Sequence, residues 1–237
     1  MTVTHLVGGR RILGESGRVV DVIEPATGLV IASTPLASDE EAHKAVEAAH
    51  EAFADWSEMP PPQRAQIMFR YRDLLIRHEE ELARSVSREQ GKLLDDAKGS
   101  LRRGIDVVEF SCGAPHLLKG ESSDNVAAGL DVQSIWQPLG VVVGISPFNF
   151  PEMVPLCMLA PALAFGNTVV LKPSEKAPTC PVLLAELFLE AGGPTGVFNV
   201  LHGDAATAEA LICDEKTKLV SFIGSTPVAR RVYSLAA

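Results

Sequence analysis

Residues 146–151, of sequence SPFNFP, place an asparagine between two aromatic residues and two prolines. The prolines fix φ at both ends of the segment, so the Asn149 amide is held in one place and can donate to a developing oxyanion. A simple turn asparagine is the alternative for this segment taken alone. The glycine-rich fingerprint of the usual dinucleotide fold does not occur here.

Residues 172–176, of sequence KPSEK, place an acidic side chain just after an apolar run. Nucleotide-binding folds hold ribose hydroxyls with an acidic residue at this position, and Lys172 adds donors on the same edge. A carboxylate at Glu175 also repels a 2′-phosphate, which favours NAD over NADP, although Lys172 and Lys176 weaken that argument. Ser174 and Glu175 equally suit the start of a helix, which is the alternative.

Gly224 and Ser225 follow a further apolar run and precede Thr226 and Pro227. A glycine followed by the free N–H groups of a helix start makes an anion site, here one for a pyrophosphate. Pro227 is compatible with a first helical turn, where its missing N–H is not needed. Gly-Ser before a helix is also common without any ligand, so the segment alone leaves both interpretations open.

The elements that position these segments alternate regularly from Gly140 onward. The sequence predicts strands at GVVVGISP, TVVLKP, GVFNVLHG and KLVSFIG, each followed by a helix: EMVPLCMLAPALAF, PVLLAELFLEAG, AATAEALIC and TPVARRVYSLAA. Continuously apolar, valine-rich strands are typical of a parallel sheet covered on both faces. We therefore predict an α/β fold with an open parallel sheet, whose ligands lie outside the carboxyl ends of the strands.

The first 120 residues predict short strands followed by a helical layer. HLVGG, RVVDVIEP and LVIASTP suit strands, and a capping box at Ser38 and Glu41 opens a helix expected to run through Phe53. Further helices are expected after the prolines at 60–62, over EELARSVSREQGK, and from Leu93 to about Phe110. Between residues 121 and 138, ESSDNVAAG is polar and turn-like, and DVQSIWQP suits an exposed strand that ends at its proline.

Charge and hydropathy restrict the partners. The chain has 21 basic and 30 acidic residues, a formal net charge of -9, which disfavours nucleic acid and anionic lipid as partners. No apolar run approaches the roughly 20 residues that span a bilayer. The N-terminus lacks the basic start and apolar core of a signal peptide, so a cytoplasmic location is expected.

The four cysteines, Cys112, Cys157, Cys180 and Cys213, are widely spaced, so neither a metal site nor a disulfide framework is expected. Cys157 is expected inside an apolar helix, where a buried thiol is inert. A helix C-terminus at Cys213 disfavours the thiolate, whereas a helix start near Cys180 lowers its pKa. Cys112 has His116 four residues on, but the intervening proline breaks that geometry. None of the four is expected to be a nucleophile.

Taken together, GVVVGISPFNFP, GNTVVLKPSE and FIGSTP resemble the first-strand, second-strand and phosphate-turn motifs of the aldehyde dehydrogenase superfamily. The resemblance covers essentially the whole chain and implies the Rossmann-like NAD-binding domain of that fold. It implies that Asn149 helps to hold the thiohemiacetal oxyanion. It also implies NAD contacts from Ser146, Phe148, Lys172, Glu175, Lys176, Gly224 and Ser225. The family's phosphate turn is usually G-x-x-x-x-G, and Ala229 replaces its second glycine, with a methyl that limits close approach.

Residues 103–121 (RGIDVVEFSCGAPHLLKGE) and 141–155 further resemble methylmalonate-semialdehyde dehydrogenases. That resemblance implies NAD-dependent oxidation of methylmalonate or malonate semialdehyde, with loss of CO2 and acyl transfer to CoA as co-substrate. The products would be propionyl-CoA or acetyl-CoA, in valine, thymine or inositol catabolism. The resemblance implies that Arg103 binds the substrate carboxylate, a task that suits arginine. A solvated helix arginine beside Arg102 is the alternative.

The resemblance also implies what this sequence lacks. The family's nucleophilic cysteine and catalytic domain are expected beyond residue 237, so the chain is expected to be an N-terminal portion, inactive alone. A last helix without a glycine or asparagine stop agrees with that expectation. Residues 1–120 and 139–237 are expected to form the NAD-binding domain, and 121–138 a strand excursion that joins a homodimer or homotetramer. Another aldehyde or semialdehyde dehydrogenase, or a non-catalytic NAD-binding fragment, are the alternatives.

Overall fold

The computed structural model describes residues 2–237. The strands are β1 (His5–Val7), β2 (Arg10–Ile12), β3 (Val19–Ile23), β4 (Val30–Pro35), β5 (Ser122–Ala127), β6 (Leu130–Gln133), β7 (Val141–Ile145), β8 (Thr168–Lys172), β9 (Phe198–Val200) and β10 (Thr217–Phe222). The helices are α1 (Asp39–Glu58), α2 (Pro61–Arg77), α3 (Glu79–Gln90), α4 (Leu94–Ser111), α5 (Ala114–Leu117), α6 (Met153–Ala164), α7 (Thr179–Glu190), α8 (Ala205–Cys213) and α9 (Thr226–Ala236). Across residues 2–237, the helices are all too short or too polar to cross a membrane.

The central sheet has six strands in the order β10-β7-β8-β9-β1-β2. Strands β10, β7, β8 and β9 are parallel, as predicted, and their register places Ile145 opposite both Lys172 and Phe222. The carboxyl ends of β7, β8 and β10 therefore lie side by side. The N-terminal hairpin of β1 and β2 extends the sheet in the antiparallel direction. The predicted α/β fold is confirmed, with this hairpin added to the parallel strands.

Helices cover both faces of the sheet, as its apolar strands require. One cluster of buried side chains includes residues of α2, α4, α6 and α7, and the other lies mainly between the sheet and α1, α8 and α9. In the first cluster, Phe188 makes edge-on contacts with the rings of Trp56, Tyr71 and Phe198, at centroid distances of 6.1, 5.5 and 6.0 Å. Such pairs contribute about 1 kcal/mol each beyond burial, so Phe188 fixes α7 against its neighbours.

The capping box at the start of α1 is confirmed. The Ser38 hydroxyl accepts from the Glu41 N–H, and the Glu41 carboxylate accepts from the Ser38 N–H at 2.9 Å. The helix runs five residues past Phe53, to Glu58, because its residues continue to suit a helix until Pro60 restricts the backbone of the residue before it. Local side-chain chemistry therefore predicts the start of this helix better than its end.

Residues 122–133 differ from the prediction. The polar segment expected to be turn-like forms β5, which pairs antiparallel with β6 and has Ser122 opposite Gln133. The second strand ends at Gln133 and does not continue to Pro138. Only the two residues between the strands turn, with Gly129 at φ 74°. Both strands are exposed along their length, and β5, of sequence SSDNVA, lacks the alternation by which a half-buried strand is recognised.

Candidate functional site

A pocket of about 260 Å³ opens where β7, β8 and β10 end, and we call it the strand-end pocket. Its lining residues are Ile145, Ser146, Pro147, Phe148, Lys172, Ser174, Glu175, Phe222, Ile223, Gly224, Ser225 and Val228. Six of the seven residues predicted to contact a cofactor therefore line this one pocket. The seventh, Lys176, lies beside them, with its Nζ 5.3 Å from the centroid of the Phe148 ring.

Lys172 is the buried cation of the strand-end pocket. Its Nζ donates to the main-chain oxygens of Pro173 at 2.8 Å and Gly203 at 2.7 Å. An ammonium has three donors, so one is left for a ligand. Burial lowers the pKa of Lys172, and the nearby carboxylates of Glu175 and Asp204 oppose that shift. The side chain is thus held firmly while still lining the pocket.

Glu175 lies in a turn between β8 and α7. The alternative that it begins a helix is wrong, because α7 starts at Thr179 and Pro178 disfavours helical backbone in the residue before it. The main-chain oxygen of Glu175 accepts from the buried Thr34 hydroxyl at 2.9 Å. Sequence reasoning missed Thr34, since the contact joins positions 141 residues apart and no local pattern signals it.

Unused donors face the other side of the strand-end pocket. Ser225 is the N-cap of α9, but its hydroxyl makes no capping hydrogen bond. The Ser146 hydroxyl is buried and has no hydrogen-bond partner within residues 2–237. A Cβ at Gly224 would lie 2.4 Å from the Phe222 ring, so only glycine fits without movement. A free hydroxyl, an orphaned donor and a helix N-terminus together suit an anionic ligand such as a pyrophosphate.

A second concavity, of about 510 Å³, lies between α4 and the loop after β7, and we call it the Asn149 cleft. It is lined by Gln90, Gly91, Lys92, Asp96, Arg103, Asn149 and Phe150. The two residues predicted to act on a substrate, Asn149 and Arg103, therefore line one cleft. They are separated from the strand-end pocket by the single loop that carries Phe148 and Asn149.

The backbone of Asn149 is held by a loop that the sequence did not single out. Its main-chain oxygen accepts from Gln90 Nε2 at 2.8 Å and from Lys92 Nζ at 3.0 Å. Its side-chain amide is exposed and makes no hydrogen bond to another residue between 2 and 237. The amide is therefore available to a ligand, and the flanking prolines are assisted by two donors, one from the last residue of α3 and one from the connection to α4.

Arg103 and its neighbour Arg102 have different surroundings. Arg102 donates from Nε and Nη2 to the two carboxylate oxygens of Glu79, at 2.6 and 3.1 Å. Arg103 lies with its Cζ 5.9 Å from the Phe150 ring centroid and forms no ion pair within the described chain. Arg103 is exposed on α4, so the alternative of a solvated helix arginine stays open, although its guanidinium, unlike that of Arg102, is unpaired among the described residues and lines the cleft.

The environments of the cysteines correct two expectations. Cys180 lies near the start of α7, but its thiol is fully buried, and desolvation raises its pKa well above the usual value, so the predicted lowering is wrong. Cys157 is half-buried, not buried, although burial still raises its pKa. Burial raises the pKa of Cys112 to about 11, and Cys213 is exposed at the end of α8. All four lie outside the residues that line the Asn149 cleft.

Comparison with known proteins adds to this geometry. The chain is 48% identical over 233 residues to malonate-semialdehyde dehydrogenase of Pseudomonas aeruginosa, covering 98% of this chain and 47% of that protein. It is 49% identical over 233 residues to malonate-semialdehyde dehydrogenase 1 of Geobacillus kaustophilus, covering 98% and 48%. The chain thus spans about half the length of the curated relatives that it matches.

Solved structures agree with the sequence relatives. The crystal structure of methylmalonate-semialdehyde dehydrogenase from Oceanimonas doudoroffii has a TM-score of 0.98 and 47% identity, covering all of this chain and 48% of that one. A Sinorhizobium meliloti protein assigned the same activity, solved in complex with NAD, gives 0.98 and 46%, with coverage of 100% and 48%. The model of the aldehyde dehydrogenase family matches residues 12–237. This chain therefore belongs to the aldehyde dehydrogenase family.

Proposed function

We propose that this chain supplies the NAD site and the substrate-carboxylate site of a methylmalonate- or malonate-semialdehyde dehydrogenase. One observation carries the proposal: the loop after β7 lines both concavities. Ser146 and Phe148 line the strand-end pocket, whereas Asn149 and Phe150 line the Asn149 cleft. A cofactor and an aldehyde bound in these two places would meet across one short segment, as hydride transfer requires.

The strand-end pocket is the proposed NAD site, within a domain formed by residues 1–120 and 139–237. Glu175 accepts from ribose hydroxyls, Lys172 donates its remaining N–H, and Ser225 with the start of α9 binds the pyrophosphate. The Glu175 carboxylate repels a 2′-phosphate, so NAD is preferred over NADP. When bound, NAD supplies the hydride acceptor. The residues of this chain bind and orient it.

The Asn149 cleft is the proposed aldehyde site. The Arg103 guanidinium forms a fork that matches the carboxylate of a semialdehyde, and the Asn149 amide donates to the oxygen that becomes negative when the carbonyl is attacked. The nucleophile, the loss of CO2 and the transfer to CoA belong, in this proposal, to the part of the relatives that this chain does not match. We therefore expect these 237 residues alone to show no aldehyde oxidation.

The β5–β6 hairpin is the proposed contact between copies of the chain. It forms a separate two-stranded sheet, and the apolar side chains on and after it are half-exposed or more: Val126, Leu130, Val132, Ile135 and Trp136. The concentration of exposed large apolar side chains within residues 126–136 favours an interface at this hairpin. A homodimer or homotetramer that uses the hairpin would bury it.

A chimera tests the proposed reaction. This chain would be continued with the matching C-terminal half of a full-length relative and assayed for CoA-dependent NADH formation from malonate semialdehyde. Arg103→Leu should raise KM for that substrate at least about tenfold and leave KM for propionaldehyde unchanged, since only the semialdehyde has a carboxylate. Arg102→Leu is the matched control. Equal activity on both aldehydes in the parent, without a gain from CoA, would show a different aldehyde dehydrogenase.

A further inference from the structure

We propose that Lys92 is a positioning residue that fixes the main chain at Asn149, so that the side-chain amide faces the cleft. The inference rests on the proposed role of Asn149 as an oxyanion donor. Lys92 reaches this loop from the α3–α4 connection, 57 residues earlier in the chain. Its side chain is only 14% exposed, so the ammonium is directed toward the protein.

Three contacts on one short segment define what Lys92 does. Its Nζ donates to the main-chain oxygen of Asn149 at 3.0 Å and lies 4.2 Å from the centroid of the Phe150 ring. It is also 3.8 Å from Oε1 of Glu152. One ammonium thus contacts a peptide oxygen, a ring face and a carboxylate within four consecutive residues, which restrains the peptide that follows Asn149.

Glu152 is the fixed counter-charge for this ammonium. It is 1% exposed, accepts from the Ser100 hydroxyl, and has its other oxygen buried without a hydrogen-bond partner in the described chain. Burial raises the pKa of Glu152, while the charges of Lys92 and Arg103 oppose the rise. Because burial and the Ser100 hydrogen bond fix the Glu152 carboxylate, its attraction for the Lys92 ammonium restrains the position of that side chain.

The α3–α4 connection is built to present two donors to one acceptor. Helix α3 ends at Gln90, and Gly91 takes a left-handed conformation with φ 81°. Glycine adopts this conformation without strain and turns the chain sharply, so the side chains on either side both reach the same place. Gln90 Nε2 donates at 2.8 Å to the Asn149 oxygen that Lys92 also contacts. The carbonyl is therefore clamped by two donors.

This arrangement separates two functions within one cleft. Arg103 has no ion pair in the described chain and is available for a ligand, whereas the Lys92 ammonium already faces an acceptor, a carboxylate and an aromatic ring. Stabilisation of an oxyanion requires its donor to be placed in advance to within a fraction of an ångström. Lys92 thus sets the geometry of the Asn149 amide, and Arg103 sets the affinity of the cleft for the substrate carboxylate.

Nuclear magnetic resonance of the 237-residue chain tests the proposal. The probe is the main-chain carbonyl carbon of Asn149, whose oxygen accepts from both donors, with the hydrogen-bonded side-chain amide of Asn167 as an internal reference. In Lys92→Met, the Asn149 signals should move toward the positions of a free asparagine and those of Asn167 should stay. Lys92→Arg, which keeps a donor and a charge, should restore them. Lys98→Met, which removes an ion pair with Glu80 on the same α3–α4 face, should leave them unchanged.

Two results would overturn the proposal. The first is a lowered Tm of Lys92→Met with unshifted Asn149 signals, which makes Lys92 a structural residue only. If that variant fails to fold, Gln90→Met removes the other donor, and unshifted Asn149 signals there count equally against the clamp. Titration with malonate separates this from the proposed function. Unshifted Asn149 signals in Lys92→Met with malonate binding intact refute positioning alone, whereas shifted Asn149 signals in a chain that does not bind malonate refute the carboxylate site alone.

Discussion

The strand-end pocket and the Asn149 cleft share a loop but are built differently. The pocket takes its residues from the ends of three adjacent parallel strands, whose register alone brings them together. The cleft takes its residues from α3, α4 and the loop after β7, held by side chains that bind main-chain oxygens. The sheet therefore fixes the proposed cofactor site, whereas loop contacts shape the proposed substrate site, where specificity can change without altering the fold.

Buried titratable groups also differ between the two regions. Near the pocket, His5 and His202 stack with ring centroids 5.5 Å apart, and burial lowers their pKa values to about 4 and about 3. Near the cleft, burial raises the pKa of Glu152. Acid therefore destabilises the first region, because between the folded and unfolded pKa values of these histidines the unfolded chain binds protons and the folded chain does not. Glu152 acts oppositely, since stability is lost as pH rises and the unfolded carboxyl ionises first.

The largest expected effect is the pH dependence of the histidine pair. The stability these histidines give is complete above pH 6.5, their unfolded pKa, and falls as pH drops toward 4. His5 alone should account for on the order of 3 kcal/mol of that fall. His5→Asn retains an acceptor for the main-chain N–H of His202 but does not titrate. The free energy of unfolding of this variant should therefore fall less steeply as the pH is lowered. Urea unfolding from pH 7 to pH 4.5 measures this, and identical slopes would contradict it.

The next largest effect is expected at Lys172. Lys172→Met removes the donor to two buried carbonyls and should lower the free energy of unfolding by about 2 kcal/mol. It should also weaken NAD binding at least about tenfold, as measured by calorimetry, since a charged donor is lost. Lys44→Met, in an exposed lysine that pairs with Glu40, is the control and should change neither quantity. Unaltered NAD affinity in Lys172→Met would place the cofactor elsewhere.

The smallest effect is expected at Thr34. Thr34→Val keeps the shape of the side chain and removes the hydroxyl that donates to the Glu175 oxygen. The loss of one neutral hydrogen bond, about 1 kcal/mol, should weaken NAD binding about fivefold. Malonate affinity should not change, because Thr34 lies away from the Asn149 cleft. An equal loss of both ligands would indicate that the two regions are not separate.

How far the sequence predicts this molecule depends on the range of the contacts. The Ser38–Glu41 capping box and the strand-end motifs are local patterns, and the structure contains each where the pattern predicts it. The Thr34–Glu175 and Lys92–Asn149 contacts join distant positions through main-chain oxygens, which every residue has, so no residue type signals them.

Burial explains the remaining misses. The position of Cys180 near a helix start predicts a lowered pKa, but its complete desolvation is visible only after the fold is assembled. The sequence predicts a turn at β5 because its residues, SSDNVA, carry no periodic pattern.

The most direct test of the two-site account is a crossed titration of the 237-residue chain with NAD and with malonate. Glu175→Gln should weaken NAD binding and leave malonate affinity unchanged. Arg103→Leu should weaken malonate binding at least about tenfold and leave NAD affinity unchanged, with Arg102→Leu affecting neither. Each variant should therefore disturb one ligand only. If either variant weakens both ligands equally, or if Arg102→Leu matches Arg103→Leu, the assignment of separate cofactor and carboxylate sites is wrong.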